Sequence, residues 1–391
     1  MLKHLFKLIW NKKRQNFLLM TEILVSFMVI FAVFSLLVNY YMNYRKPMGF
    51  EYDRVWSVEY RPGVSFKTKD SLVVFYDNLR NKLNGMPEIE GITFVSDNSP
   101  FTANTRQSNV DYKKQHARSV NWYDADSGYP NTMKVKVLEG RWFGKQDDAA
   151  TVKPVVINQQ LRNELFGAGK ALGERIGEEQ RFRVVGVVND IKDKGDFSSP
   201  GNGMYQRLDT SNLGWVNKLL VRVSAKADPA FESRLYRAMS NSFKNSNIDI
   251  NHLTAKLEDI NKQTLIPMII LLIVAGFLII NVALGLFGVL WYNINSRRSE
   301  IGLRRAIGAT GKNVSAQLVT ESVILATISL VIGSFFAAQF PLLNVFDLQS
   351  GVYVTAILLS VVFIYLLILA CSLYPGKQAA AIYPAIALHE E

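Results

Sequence analysis

Residues Leu265–Leu290 read LIPMIILLIVAGFLIINVALGLFGVL, an apolar run without one charged side chain. The loop that follows carries Arg297, Arg298, Arg304, Arg305 and Lys312. A helix needs about 20 mostly apolar residues to cross the hydrocarbon of a bilayer. The quoted run meets that requirement, so its flanks belong on opposite sides of a membrane. Working outward, Phe17–Tyr40, Leu318–Phe340 and Val352–Leu373 meet it too. With short flanks the expected spans are 17–41, 263–291, 317–340 and 352–373. Between the first two lies 42–262, with mixed charges, turns and alternating patterns of an ordinary soluble domain.

Charge distribution orients the chain. Basic residues collect on the cytoplasmic side of membrane proteins. Lys3, Lys7, Lys12, Lys13 and Arg14 precede the first span, and the Arg-rich loop 292–316 follows the second. The short loop 341–351, with Pro341, Asn344, Asp347 and Gly351, has no Lys or Arg. Both termini are therefore expected in the cytoplasm, the loop at Asp347 outside, and the protein in a bacterial cytoplasmic (inner) membrane. The fold class expected is a membrane protein of four transmembrane α-helices, with a large α+β extracytoplasmic domain between helices one and two. A cleaved signal peptide is the alternative for the first run. Its apolar stretch is too long for an h-region, and no small-x-small site follows Val38.

The net charge of +11 raises nucleic acid or a membrane surface as partner. Its placement beside the spans favours membrane lipid, and no nucleic-acid-binding pattern is present. A mean hydropathy of only +0.09 averages the two populations and hides the spans. Ahead of the first span, Leu2, Leu5, Phe6, Ile9 and Trp10 recur at helical spacing opposite Lys3, Lys7 and Lys13. Residues 1–16 are expected to form an amphipathic helix in the cytoplasmic interface.

Within 42–262, Ser71–Asn84 has helical periodicity and stops at Gly85. Met133–Leu138 alternates as a strand, Val155–Ile157 is a short strand, and Gln159–Phe166 a helix. Arg181–Val188 and Lys218–Val223 are β-rich, and Asp228-Pro229 caps a helix to about Phe243. Asp124/Asp126 and Asp147/Asp148 are paired carboxylates in turn-like sequence, read as solvated loop charge. Cys371 is the sole cysteine and falls in the last span, so the domain has no disulfide. His4, His116, His252 and His389 lack ligand spacing, and no metal site is expected. A phosphate loop needs Gly-Lys followed by Ser or Thr. Here Gly144-Lys145, Gly169-Lys170, Gly311-Lys312 and Gly376-Lys377 are followed by Gln, Ala, Asn and Gln. The chain is expected not to be an enzyme and to carry no cofactor of its own.

The most informative loop is Ser296–Ala309. On a helical wheel with Ile301 at zero and about 100° per residue, Arg297, Arg298, Arg304 and Arg305 fall within about 60° of Ile301. Leu303, Ala306 and Ile307 gather opposite. The expectation is a basic rim around an apolar Ile301 knob, with the other face on the membrane helices. Topology alone, or anionic lipid, also accounts for the arginines, but neither asks for an isoleucine among them.

The stretch Arg297–Thr310, RRSEIGLRRAIGAT, resembles the cytoplasmic loop of the FtsX/MacB-type ABC transporter permeases. The ending Tyr374–Leu388, YPGKQAAAIYPAIAL, is similar to that family's Pro-rich close on Ala-Leu. Leu138–Phe143 (LEGRWF), Val156–Asn158 with Leu165-Phe166, and Val184–Val188 with Asp190 are similar to the MacB-type extracytoplasmic domain. The resemblance spans nearly the whole chain. It implies two permease subunits, a second copy or a paralogue, each engaging a cytoplasmic ABC ATPase through the helix between spans two and three. By matching position it assigns ATPase docking to Glu300, Ile301, Arg304, Arg305 and Gly308, with Arg297 and Arg298 beside them. ATP and Mg are then expected on the partner ATPase. Fused members carry the ATPase at their N-terminus; with so few residues before its first span, this chain is expected to use a separate one. Gly376 stands where the family usually has Ala, which could loosen the last turn.

Inside the second span, Asn281 is costly in mid-membrane unless paired. Gly276, Gly285 and Gly288 permit close packing, and with Asn281 they are the expected dimer seam. Glu22 and Glu321 are read as snorkelling to the interface. The leading functional reading is a MacB-like permease that couples ATP hydrolysis to movements of its outer domain for export or extraction, with a periplasmic adaptor as a further partner. The alternative is an FtsX-like signalling subunit that activates an extracytoplasmic cell-wall hydrolase without transport.

Overall fold

The computed structural model describes residues 13–60, 69–147, 150–209, 211–243, 246–343, 345 and 348–380. The expected helix over 1–16 lies outside them up to residue 12, and the chain is already helical at Lys13. In chain order, α1 (Lys13–Tyr44) leads into β1 (Val55–Tyr60), α2 (Lys69–Asn84), β2 (Ile89–Val95), β3 (Gln107–Tyr112) and β4 (Gln115–Ala125). Then come α3 (Tyr129–Met133), β5 (Val137–Gly140), β6 (Lys153–Asn158), α4 (Gln159–Phe166), β7 (Arg175–Ile176) and β8 (Phe182–Val188). β9 (Gly203–Arg207), β10 (Lys218–Val223), α5 (Pro229–Ser242) and β11 (Ile248–His252) follow. The remainder is helical: α6 (Leu253–Asn295), α7 (Arg298–Ala306), α8 (Gly311–Ala337), α9 (Gln339–Leu343) and α10 (Ser350–Ala380).

Among the described residues, four helical stretches are long and apolar enough to cross a membrane: Leu19–Tyr44, Leu253–Val289, Gly311–Leu343 and Ser350–Ala379. The chain divides into two compact units, Asn43–Leu265 and the membrane helices before and after it. In the membrane unit, Ile23, Phe27 and Phe31 of α1 pack with Leu330 of α8 and Tyr353 and Ile364 of α10. Serines on these helices turn inward: Ser35, Ser329 and Ser360 each donate to a carbonyl one turn back. That satisfies the hydroxyl within its own helix and lets neighbours approach. α10 continues through Pro375 to Ala380, beyond the expected end of the fourth span. Gly376 does not loosen it. The residue is buried, and a Cβ there would stand 2.7 Å from Ser315 Oγ of α8.

The other unit is one sheet in the order β11-β1-β10-β2-β4-β9-β6-β8-β5, with β3 added on β4 and β7 on β8. β4·β9 and β6·β8 are parallel; the other pairs are antiparallel. The amphipathic stripe read in α2, with Leu79 and Leu83, joins Phe231 and Leu235 of α5 over Val58, Phe94 and Val221. α5 begins as its Asp-Pro pair dictates: Asp228 accepts from Phe231 N at 2.7 Å. α4 carries Leu161 and Leu165 onto Val155 and Val184. A third cluster holds Tyr123, Tyr129, Trp142 and Tyr205 together with Leu253 and Leu257, the first turns of α6.

Two expectations fail here. The strand read over Met133–Leu138 starts only at Val137, because Pro130 opens a one-turn helix that ends with Lys134 left-handed at φ 55°. Nor are the paired carboxylates solvated; Asp148 lies outside the described residues. Asp124 accepts from Arg106 at 2.8 Å and from Asn212 at 3.2 Å. Asp126 pairs with Arg80 and takes Thr93 Oγ1 (2.7 Å), Phe94 N (2.9 Å) and Gly128 N (2.8 Å). Asp147 is gripped by Arg141. Buried charge persists where it is paired and hydrogen-bonded; Arg80 and Arg106 come from 46 and 18 residues away, whereas Arg141 lies six residues before Asp147.

Segment 192–198 ties helix ends to the domain. Lys192 Nζ donates to Asn43 O, at the end of α1, and to Asp196 O, both at 3.0 Å. Burial pulls the Lys192 ammonium below its usual pKa. Asn261 of α6 donates to Asp196 Oδ2 at 2.7 Å, and Asp196 N returns a bond to Asn261 Oδ1 at 3.0 Å.

Candidate functional site

The Arg-rich loop begins as α6 runs out. Ser296 N and Arg297 N donate to Tyr292 O and Ile294 O, and α7 starts one residue later. Its end is a glycine turn: Gly308 N reaches Arg305 O at 3.1 Å and Ala309 N reaches Arg304 O at 3.0 Å. This pair of bonds requires a left-handed residue, and Gly308 has φ +105° with open space around its Cα. Conformation, not room, demands glycine there. Thr310 then caps α8, its Oγ1 accepting from Asn313 N at 3.3 Å.

Two kinds of contact hold α7 in place. Ile301 is buried with Ile294, Val314 and Ala379, from α6, α8 and α10. Around it runs a polar network. Arg297 Nη1 donates to Glu321 Oε2 at 2.8 Å, Arg304 Nη1 to Gln317 Oε1 at 2.8 Å, and Arg304 Nη2 to Glu300 Oε1 at 2.6 Å. Gln317 Nε2 closes it on Glu321 Oε1 at 3.1 Å. Arg298 is exposed and Arg305 half-buried.

The expected faces are therefore reversed. Ile301 is not an outward knob, and Leu303 and Ile307 do not rest on the membrane helices: they are 52% and 78% exposed. Arginine-rich though it is, the Ile301 face turns inward because α8 supplies Glu321 and Gln317 as partners. Glu321 is a counter-ion rather than a snorkelling carboxylate. Glu321, Gln317, Leu303 and Ile307 are the site residues that sequence reasoning missed. The i, i+4 spacing of Leu303 and Ile307 was the available signal for the last two.

The seam residues on α6 also separate. A Cβ at Gly285 would run into Glu22 of α1, so this glycine serves a close approach within the chain. Among the described residues nothing stands within 4 Å of a Cβ built at Gly276 or Gly288. Asn281 Nδ2 donates to Phe277 O at 2.8 Å, so its own helix meets part of its need. Between α1 and α6 runs a groove of about 770 Å³, apolar apart from Thr21, Glu22 and Ser26. Among the described residues, no cluster of three or more His, Cys, Asp or Glu is placed to hold a metal ion.

Residues 17–236 match the MacB-like periplasmic core domain, and residues 272–384 match the FtsX-like permease C-terminal domain. The chain belongs to the MacB/FtsX-like ABC transporter permeases. Permeases of this family work with ABC ATPase partners. This MacB/FtsX-like permease is 24% identical over 327 residues to YknZ of Bacillus subtilis (strain 168), named an uncharacterized ABC transporter permease, covering 80% of this chain and 79% of YknZ. YvrN of the same organism, named likewise, is 22% identical over 422 residues, covering both chains fully. The macrolide export ATP-binding/permease protein MacB of Bdellovibrio bacteriovorus is 24% identical over 269 residues, covering 64% of this chain but 41% of its own length. The crystal structure of the periplasmic region of MacB from Actinobacillus actinomycetemcomitans aligns over 54% of this permease and 92% of itself, at 18% identity and a TM-score of 0.37.

Proposed function

We propose that this permease is the membrane subunit of an ABC transporter whose ATPase, on a separate cytoplasmic chain, docks on α7. ATP and Mg belong to that ATPase. Its movements reach the extracytoplasmic domain and there drive export or extraction of a substrate. The observation that carries this reading is the two-sided build of α7. Its inner face is locked by Ile301 and the Glu300–Arg304–Gln317–Glu321–Arg297 network, while Leu303 and Ile307 stand exposed on the opposite side. An exposed apolar pair on a helix whose other face is fixed offers a partner protein two anchors to bury. Ile301 and Gly308 then position the helix rather than touch the ATPase.

The basic residues around α7 support a cytoplasmic location for it. A second permease copy fits on α6: only 6% of its apolar stretch is buried, against 33% for α1, and Gly276 and Gly288 leave its open side smooth. The docking reading is tested by co-purification with the ATPase. Leu303→Asp with Ile307→Asp is expected to abolish association, since each buried apolar anchor contributes about 2 kcal/mol or more. Retained ATPase in that double variant sinks it.

A further inference from the structure

We propose that the domain between spans one and two carries a binding cleft for a neutral saccharide, beneath Trp215. The cleft has a volume of about 490 Å³ and lies between the loop after β2 and the turn before β10. That volume is in the range of small-ligand sites. Its lining includes Ser96 and Asn98, whose buried Oγ and Oδ1 have no hydrogen-bond partner among the described residues. Their side chains belong to residues only 5% and 3% exposed. Buried polar groups are nearly always satisfied, so an unmet pair lining an open cleft points to a ligand that meets it.

Three features select the ligand's chemistry. The first is hydrogen bonding: Asn98 already donates its Nδ2 to Trp122 O at 2.7 Å, leaving a carbonyl oxygen that wants a donor. Sugar hydroxyls supply donors at high density. The second is charge. Arg106 is neutralised by Asp124 at 2.8 Å, and Asp97 receives Asn217 Nδ2 at 2.5 Å with Lys218 Nζ at 3.8 Å. The charges lining this first cleft each have a partner, which favours an uncharged ligand over an ion. The third is Trp215, 72% exposed at the rim, whose flat ring suits the C–H face of a pyranose.

The frame is rigid. Lys194 Nζ pins the loop after β2 through Thr102 O (2.9 Å) and Asn104 O (2.8 Å), and Phe101 in that loop is held left-handed at φ 60°. Asn212 fixes the tryptophan turn to Asp124 and to Arg207 O. A second hollow of about 590 Å³ shares Asp97 and Asn104 and is lined also by Glu59, Lys218 and Asp249; the Asn217 carbonyl oxygen there has no hydrogen-bond partner among the described residues. The two together extend the site past one ring. This inference stands independently of ATPase docking at α7.

The test uses the full chain in nanodiscs assembled without glycosidic detergent. Chitotriose and maltotriose are titrated as probes, followed by saturation-transfer NMR. Saturable binding of at least one probe on the order of 1 mM is expected. Trp215→Ala should weaken it about tenfold and Trp215→Phe much less, as removal of a stacked ring implies. Ser96→Ala should weaken it by a smaller factor. Since Trp215 is exposed, Trp215→Ala should keep the wild-type melting temperature. Absence of saturable binding by both probes, or binding unchanged in Trp215→Ala, overturns the proposal. So does a Trp215→Ala variant that loses a protein partner while neither chain binds sugar, which would make this surface a protein contact.

Discussion

Asp147 sits between both terminal nitrogens of Arg141, at 2.7 Å each, and accepts Gly144 N at 2.9 Å. The Arg141 bonds hold its carboxyl below the usual carboxylate range, against the opposing effect of burial. A depressed folded pKa adds stability that is fully present above the unfolded value of about 3.8 and is lost as pH falls through the folded value. Asp147→Asn is therefore expected to lower stability at pH 7. The loss should be about 1 kcal/mol, modest because the Arg141 side chain is 40% exposed. Thermal melts of the full chain should show the gap between wild type and variant narrowing as pH falls below that range. An equal gap at low pH would mean the carboxylate's charge is not the cause. Within the LEGRWF stretch the same close-up accounts for two more residues: Gly140 turns left-handed at φ +68°, and Trp142 Nε1 donates to Asp126 O at 2.9 Å. Sequence marked this stretch as characteristic and missed its chemistry. The carboxylate that Arg141 grips lies among Gly, Lys and Gln, where nothing local signals burial.

For α7 the grouping of arginines around Ile301 was legible, because it depends on helical period alone; Gly308, read as a docking contact, instead ends the helix. Which face turns inward was not legible. A wheel drawn on one helix contains no information about Glu321 and Gln317 on α8, yet these decide that arginines accompany Ile301 into the interior. The Arg297–Glu321 pair has side chains only 12% and 14% exposed, so removal of one member leaves the other without its nearest counter-charge. Arg297→Ala is expected to cost about 3 kcal/mol in the membrane unit. Glu321→Ala should cost a similar amount, and the double variant less than the sum. The readout is a double-mutant cycle on thermal stability, with hydrogen exchange across α7. Additive losses and unchanged exchange in α7 would show that the pair does not hold this helix.

Over the whole molecule, the four spans were readable because bilayer thickness imposes a length on any crossing helix. A local cap likewise revealed α5. Strand order could not be read, since β1 lies between β10 and β11 through pairings that join opposite ends of the domain. The same long-range closure produces segment 192–198. Lys192 holds Asn43 O at the end of α1, and Asp196 exchanges two bonds with Asn261 in the first turns of α6. Both helices continue as spans, so under the function proposed above ATP-driven movement along α6 would reach this segment. In nanodiscs with its ATPase, the wild-type chain is expected to show ATP-dependent hydrogen exchange in residues 192–198. Asn261→Ala removes both bonds to Asp196 while leaving Leu303 and Ile307 untouched. It should therefore retain the ATPase and lose most of that ATP response. A variant that keeps the full response would mean that transmission bypasses the splice, whereas a variant that loses the ATPase as well would place Asn261 in the folding of α6 instead.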